Sequence, residues 1–181
     1  MSNTNYIPVK SSINWDEYFM MQALIASYRS KDPSTKVGSV FVDHRNHQIS
    51  MGYNGFIAGI DEKQLPWGKI KDLPYEEQKY AYVVHSEANA ILHATGSLEN
   101  SKCYVTLFPC HECAKLLATV KIKEVIYLHR KEGTESDRIS QKIFDLSKIT
   151  YRPLSIDEAT IKPFFDYIEK MTLENYTHSE K

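Results

Sequence analysis

The sequence predicts a three-layer α/β/α domain built on a mixed sheet, and three observations carry that reading. Apolar residues Trp15, Phe19, Ala23, Leu24 and Ala26 recur at three and four positions, the spacing of one helical face. Two short apolar runs, 37–42 and 47–53, flank the polar turn Asp43-His44-Arg45-Asn46, as in a hairpin. Beyond them, strand-like and helix-like segments alternate, as they do in α/β proteins.

The elements follow in order. Residues 1–13 are polar and read as a loosely held N-terminus. The first helix begins at Asn14, runs through about Tyr28 and is broken by Asp32-Pro33-Ser34. The hairpin strands are Val37 to Val42 and His47 to Tyr53, the second ended by Asn54-Gly55. Residues 56–82 carry Gly59, Pro66, Gly68, Pro74 and many charges; a loop that long in a compact domain usually has a function. Then come a helix from His85 to Ala94, a strand from Lys102 to Leu107 and a helix from about Cys110 to Val120. A short strand over Glu124 to Leu128 precedes a helix over Ser136 to Leu146. A strand over Ile149 to Arg152 and a helix over Ile156 to about Leu173 close the pattern, and the tail from Glu174 is polar.

Composition narrows the function class. The chain of 181 residues is 42% hydrophobic and 25% charged, ordinary for a globular protein. Its formal charge of −1 offers no bulk positive field for nucleic acid. No run of 18 apolar residues suggests a membrane span. The first ten residues lack a signal-peptide core, so the expected compartment is cytoplasmic. The cysteines are Cys103, Cys110 and Cys113. Three cannot build a paired disulfide framework, and Cys110 and Cys113 form a C-x-x-C that suits a metal or a redox dithiol.

Two groups of residues point to chemistry: His85-Ser86-Glu87 and Pro109-Cys110-His111-Glu112-Cys113. Each alone is a weak signal, but each opens a predicted helix after a loop or strand. Zinc takes imidazole nitrogen and thiolate sulfur in tetrahedral geometry. His85, Cys110 and Cys113 supply three ligands and leave one position open for water, the mark of a catalytic site. Zinc lowers the pKa of such a water towards 7. Both cysteines open a helix, where backbone N–H groups and the macrodipole favour thiolates. Glu87 projects at a different angle from His85, so its carboxylate can move the water's proton without binding the metal. The competing readings are a structural zinc site completed by His93 or His111, and a redox pair that leaves His85 and Glu87 unexplained.

The H-x-E and P-C-x-x-C groups resemble the signature of zinc-dependent nucleobase deaminases. Ser30-Lys31-Asp32-Pro33, Lys36-Val37-Gly38, Gly52-Tyr53-Asn54-Gly55, Leu65-Pro66-Trp67 and Leu107-Phe108-Pro109-Cys110 look like the deoxycytidylate (dCMP) deaminases, over about Trp15 to Arg152. The resemblance implies a mixed five-stranded sheet flanked by helices, a homohexamer, and conversion of dCMP to dUMP and ammonia for thymidylate synthesis. It implies Zn2+ as cofactor, and in many members activation by dCTP and inhibition by dTTP, each with Mg2+. It casts His85, Cys110 and Cys113 as zinc ligands, Glu87 as proton shuttle, and Asn54 as a contact to the sugar hydroxyl or to a regulatory nucleotide. Ser86 departs from the commoner alanine. The implied domains are 1–13 flexible N-terminus, 14–153 deaminase domain, and 154–181 C-terminal helix and tail.

The 5′-phosphate needs a cation or a helix N-terminus, and Arg29, Lys31 and Lys36 are the candidates by position. Trp67 and Tyr82 either cover a base or pack against the domain. Cys103 reads as a small buried residue, and His93 and His111 as packed or solvated side chains. The rival functions are a polynucleotide deaminase (tRNA adenosine or single-stranded DNA cytosine), a deaminase of free cytidine or guanine, and a nucleotide sensor without turnover. The near-neutral charge, the 56–82 insertion and the intact Glu87 weigh against the first and last; no nucleic-acid or membrane partner is expected.

Overall fold

The computed structural model describes residues 13–68 and 73–173. The expected flexible N-terminus, apart from Ile13, and the polar tail from Glu174 lie outside the described residues.

Helix α1 spans Trp15–Tyr28 and opens on a reciprocal cap. The Asn14 side chain accepts from the Glu17 backbone N–H, and the Glu17 carboxylate accepts from that of Asn14, satisfying two of the otherwise orphaned donors. Strands β1 (Gly38–Val42) and β2 (Gln48–Tyr53) form the hairpin, and β3 (Gly55–Phe56) pairs with β4 (Val83–Val84) as a separate two-stranded ribbon. Helix α2 is Ser86–Leu92, β5 is Lys102–Leu107, α3 is His111–Thr119 and β6 is Glu124–His129. Helix α4 (Glu135–Ser147), β7 (Thr150–Pro153) and α5 (Glu158–Leu173) complete the order. The main sheet has five strands, ordered β2-β1-β5-β6-β7. The pairs β2-β1 and β1-β5 are antiparallel, and β5-β6 and β6-β7 are parallel.

Alternation along the strands divides the core into two layers. Val40, Val42, Tyr104 and Ile126 face Phe19, Met20 and Ala23 of α1. Phe41, Cys103, Val105, Val125 and Tyr127 face the opposite way, onto Ala90 of α2, Ala114 and Leu117 of α3 and Phe144 of α4. The expected three layers and mixed sheet are therefore present. Cys103 is buried among apolar residues, as read from its strand position.

The apolar face assigned to α1 needs correcting. Phe19, Ala23 and Ala26 are buried, but Trp15 is 56% and Leu24 38% exposed. Leu24 stands about 100° around the helix from Ala23, on the flank of the packed stripe. Trp15 stacks on the Phe19 ring at 5.6 Å instead of entering the core. In the described part of the 56–82 segment, short 3-10 turns at Glu62–Gln64, Tyr75–Glu77 and Lys79–Ala81 lie between β3 and β4. Among the described residues, no helix is long and apolar enough to cross a membrane.

Candidate active site

Two helix N-termini meet beyond the end of the central strand β5. His85 is the N-cap of α2 and Cys110 the N-cap of α3, both in extended backbone. Cys113 follows in the first turn of α3. Several contacts fix these ends. Gly52 of β2 lies so close to α2 that a Cβ there would collide with the Ser86 carbonyl and the Ala90 amide. Asn89 donates from Nδ2 to the Tyr53 carbonyl at 2.8 Å, tying α2 to the end of β2. Ser140 of α4 donates to the Pro109 carbonyl at 2.9 Å and holds the turn into α3.

This brings His85 Nδ1 to 3.3 Å from Cys110 Sγ and 3.4 Å from Cys113 Sγ. The three donor atoms all lie within 4.8 Å of one another. A tetrahedral zinc ion, with nitrogen at about 2.1 Å and sulfur at about 2.3 Å, would separate its ligands by about 3.6 Å. One imidazole and two thiols at this spacing fit that ion. The hydrogen bond with Cys113, and then that with His85, pulls the Cys110 thiol down to about 4 against the cost of burial. The Cys110 hydrogen bond and burial push Cys113 up. Two thiols sharing one negative charge are what a divalent cation would relieve, because metal binding displaces thiol protons.

Glu87, only 3% exposed, lines the same cavity as His85 and Cys110. Burial raises its carboxyl above the usual carboxylate range. Ser86, fully buried, donates from Oγ to Glu87 Oε2 at 2.8 Å and holds one carboxyl oxygen in place. The cavity measures about 370 Å³, within the size range of small-molecule sites.

Asn54 also lines the cavity. Its carboxamide is held by neighbouring chain: Oδ1 accepts from Val37 N–H at 2.8 Å, and Nδ2 donates to the Thr35 carbonyl at 3.0 Å and to Asp32 Oδ2 at 3.3 Å. Arg29, Lys31 and Lys36 are not among the lining residues. Arg29 lies over the Tyr53 ring, Lys36 over the Tyr28 ring, and Lys31 pairs with Glu62 at 3.0 Å. They project from the end of α1 and the loop behind it towards other surface groups. Trp67 packs on Phe56 and Tyr82 donates to the Glu76 carbonyl, so the aromatic that lines the cavity from this segment is Tyr80. His93 contacts the Asn89 carbonyl and His111 the Ser136 hydroxyl, neither joining the cluster of His85 with the thiols.

The lining cations that sequence reasoning passed over are Lys79 and Lys131. Lys79 is 4% exposed and grips Asp32, itself 2% exposed, through both carboxylate oxygens at 2.8 and 2.7 Å. Lys131 is exposed on the cavity wall, and its ammonium pairs with no carboxylate among the described residues. Arg130 positions that wall: its guanidinium grips Asp137 at 2.7 Å and lies 4.5 Å from the Phe108 ring centre. Asp32 sits inside the quoted Ser30-Lys31-Asp32-Pro33 motif, but nothing local signals a partner 47 residues away.

Comparison with known proteins agrees with this arrangement. A family described as the cytidine and deoxycytidylate deaminase zinc-binding region matches residues 13–129. A probable deoxycytidylate deaminase of Drosophila melanogaster is 42% identical over 163 residues, covering 87% of this chain and 80% of the relative. The deoxycytidylate deaminase of Mus musculus is 37% identical, covering 86% of this chain and 88% of its own. The crystal structure of dCMP deaminase from the cyanophage S-TIM5 in complex with dCMP and dUMP shares the fold, with a TM-score of 0.61 at 23% identity, over 81% of this chain and 100% of that one. On the matched motifs, the converging helix ends and these relatives, the chain belongs to the cytidine and deoxycytidylate deaminase family.

Proposed function

We propose that this protein is a zinc-dependent enzyme that hydrolyses dCMP to dUMP and ammonia, supplying thymidylate synthesis. The observation that carries the proposal is the buried Glu87 carboxyl in one cavity with the cluster of His85, Cys110 and Cys113. Relatives named deoxycytidylate deaminase over most of the chain support the choice of substrate.

His85, Cys110 and Cys113 would hold the zinc. When bound, zinc supplies Lewis-acid polarisation and a water of lowered pKa at neutral pH. Glu87 takes the proton of the attacking water as it adds to ring carbon 4 and passes it to ring nitrogen 3. It carries a second proton to the departing amine, so water and dCMP become dUMP and ammonia. Ser86 holds Glu87 in register through its hydroxyl. Asn54 meets the sugar hydroxyl, and Lys131 meets the 5′-phosphate from the wall braced by Arg130 and Asp137. An exposed ammonium with no carboxylate partner suits a dianionic group.

The reading extends to a cytoplasmic homohexamer activated by dCTP and inhibited by dTTP, each with Mg2+; its support is the likeness of Gly52-Tyr53-Asn54-Gly55 to that family's segment. Ammonia release should be measured on dCMP, CMP and deoxycytidine with zinc-loaded protein, with and without dCTP and Mg2+. Turnover of dCMP in preference to the other two is expected. Inertness towards all three would overturn the proposal, and a rate indifferent to dCTP would remove the regulatory part.

A further inference from the structure

The 56–82 segment carries a buried lysine. Lys79 reaches Asp32 across 47 residues of sequence, and both are almost wholly buried. Asp32 Oδ1 also accepts from the backbone N–H of Ser34 at 2.8 Å and of Thr35 at 3.1 Å. Its Oδ2 accepts from Lys79 and from Asn54 Nδ2. Among the described residues, Lys79 is thus the one side-chain cation on a carboxylate that accepts from the Asn54 amide.

A primary amide has two N–H donors and two acceptor lone pairs on oxygen. Asn54 spends both donors on Asp32 and the Thr35 carbonyl, and one lone pair on Val37 N–H. A flipped amide would set its oxygen against the Asp32 carboxylate and the Thr35 carbonyl, and its N–H against that of Val37. The Thr35 carbonyl and the Val37 N–H set the orientation of the amide, the ionised Asp32 carboxylate holds its second N–H, and a single Oδ1 lone pair is left over. Such a group recognises a donor, and the free hydroxyl of a deoxynucleotide sugar is one.

We propose that Lys79 is a positioning residue for substrate recognition, holding Asp32 ionised so that Asn54 presents only an acceptor to the sugar hydroxyl. This rests on the deaminase reading above. Without the ammonium, a buried Asp32 favours its protonated form. A protonated Asp32 accepts more weakly from Asn54 Nδ2, so the amide is held by Thr35 and Val37 alone and presents its Oδ1 lone pair to the hydroxyl less firmly.

The test compares dCMP with 2′,3′-dideoxycytidine 5′-monophosphate, which lacks the hydroxyl. Lys79→Met should raise KM for dCMP about tenfold, the effect of one lost hydrogen bond, with kcat within about twofold of the original by the same argument. KM for the dideoxy analogue should not move. Asn54→Ala should show the same pattern, and the Lys79→Met/Asn54→Ala pair should be no worse than Asn54→Ala alone, because the two act through one contact. Should Lys79→Met fail to fold, Lys79→Met/Asp32→Asn leaves no buried charge and should give the same split. Equal losses on both nucleotides, additive losses in the pair, or an unaltered protein that does not distinguish the two nucleotides by KM would overturn the positioning role. Those results leave dCMP turnover by the unaltered protein standing. Its absence would overturn the deaminase reading and this inference together.

Discussion

The two walls of the cavity are built in different ways. The thiol wall comes from two helix N-termini, with each pair of key residues two or three positions apart: His85 with Glu87, and Cys110 with Cys113. The wall proposed to meet the sugar, here the sugar wall, is assembled from Asp32, Asn54 and Lys79, which share no element and lie far apart in sequence. The first can be written as a motif, because one turn of helix dictates its geometry. The second is a tertiary product, held by buried charge. Chemistry at the thiol wall should therefore fail when one atom is removed, whereas the sugar wall should lose stability and selectivity by degrees.

The largest effect is expected at the thiol wall. Cys110→Ala should drop zinc from one per chain to near none and turnover to background, as read by elemental analysis beside a dCMP assay; retained zinc would remove Cys110 from the ligand set. The next effect belongs to the sugar wall. Leaving Asp32 buried without its cation should cost about 3–5 kcal/mol, measured as the urea-unfolding gap between Lys79→Met and the unaltered protein. Burial alone would raise the Asp32 carboxyl, but hydrogen bonds from Lys79 and from the Ser34 and Thr35 amides hold it below the usual range. Its contribution is thus present above the unfolded carboxylate value of about 4 and lost as pH falls through the lower folded value. The gap should be widest near neutral pH and narrow in acid.

A smaller effect is expected at Lys131. Lys131→Ala should raise KM for dCMP about tenfold, the worth of one charge-assisted hydrogen bond, and leave deoxycytidine kinetics unchanged. A parallel loss on deoxycytidine would move the phosphate elsewhere. The smallest effects sharpen the comparison from outside the cavity. Lys31→Ala and Lys36→Ala should each change KM less than about twofold, since Lys31 is spent on an exposed pair with Glu62 and Lys36 lies over Tyr28.

This difference also explains how much was legible in the sequence. The hairpin, the strand and helix alternation and the cluster of His85, Cys110 and Cys113 follow from local spacing, and the structure brings those three together. Trp15 and Leu24 fall outside the packed stripe because periodicity gives a helical stripe but not how far the sheet beneath it extends. Charge and chain position point to Arg29, Lys31 and Lys36, and the lysines that line the cavity, Lys79 and Lys131, come from later loops. A lysine in a charged loop looks solvated until its buried aspartate partner is known.

The central claim is that the buried Glu87 carboxyl moves protons beside a zinc held by His85, Cys110 and Cys113. Glu87→Gln keeps the shape and removes the proton carrier. Zinc content and dCMP turnover measured on the same preparation should show one zinc per chain in both proteins, and a rate at least about 10²-fold lower in the variant. A zinc-loaded Glu87→Gln enzyme with undiminished turnover would contradict the account.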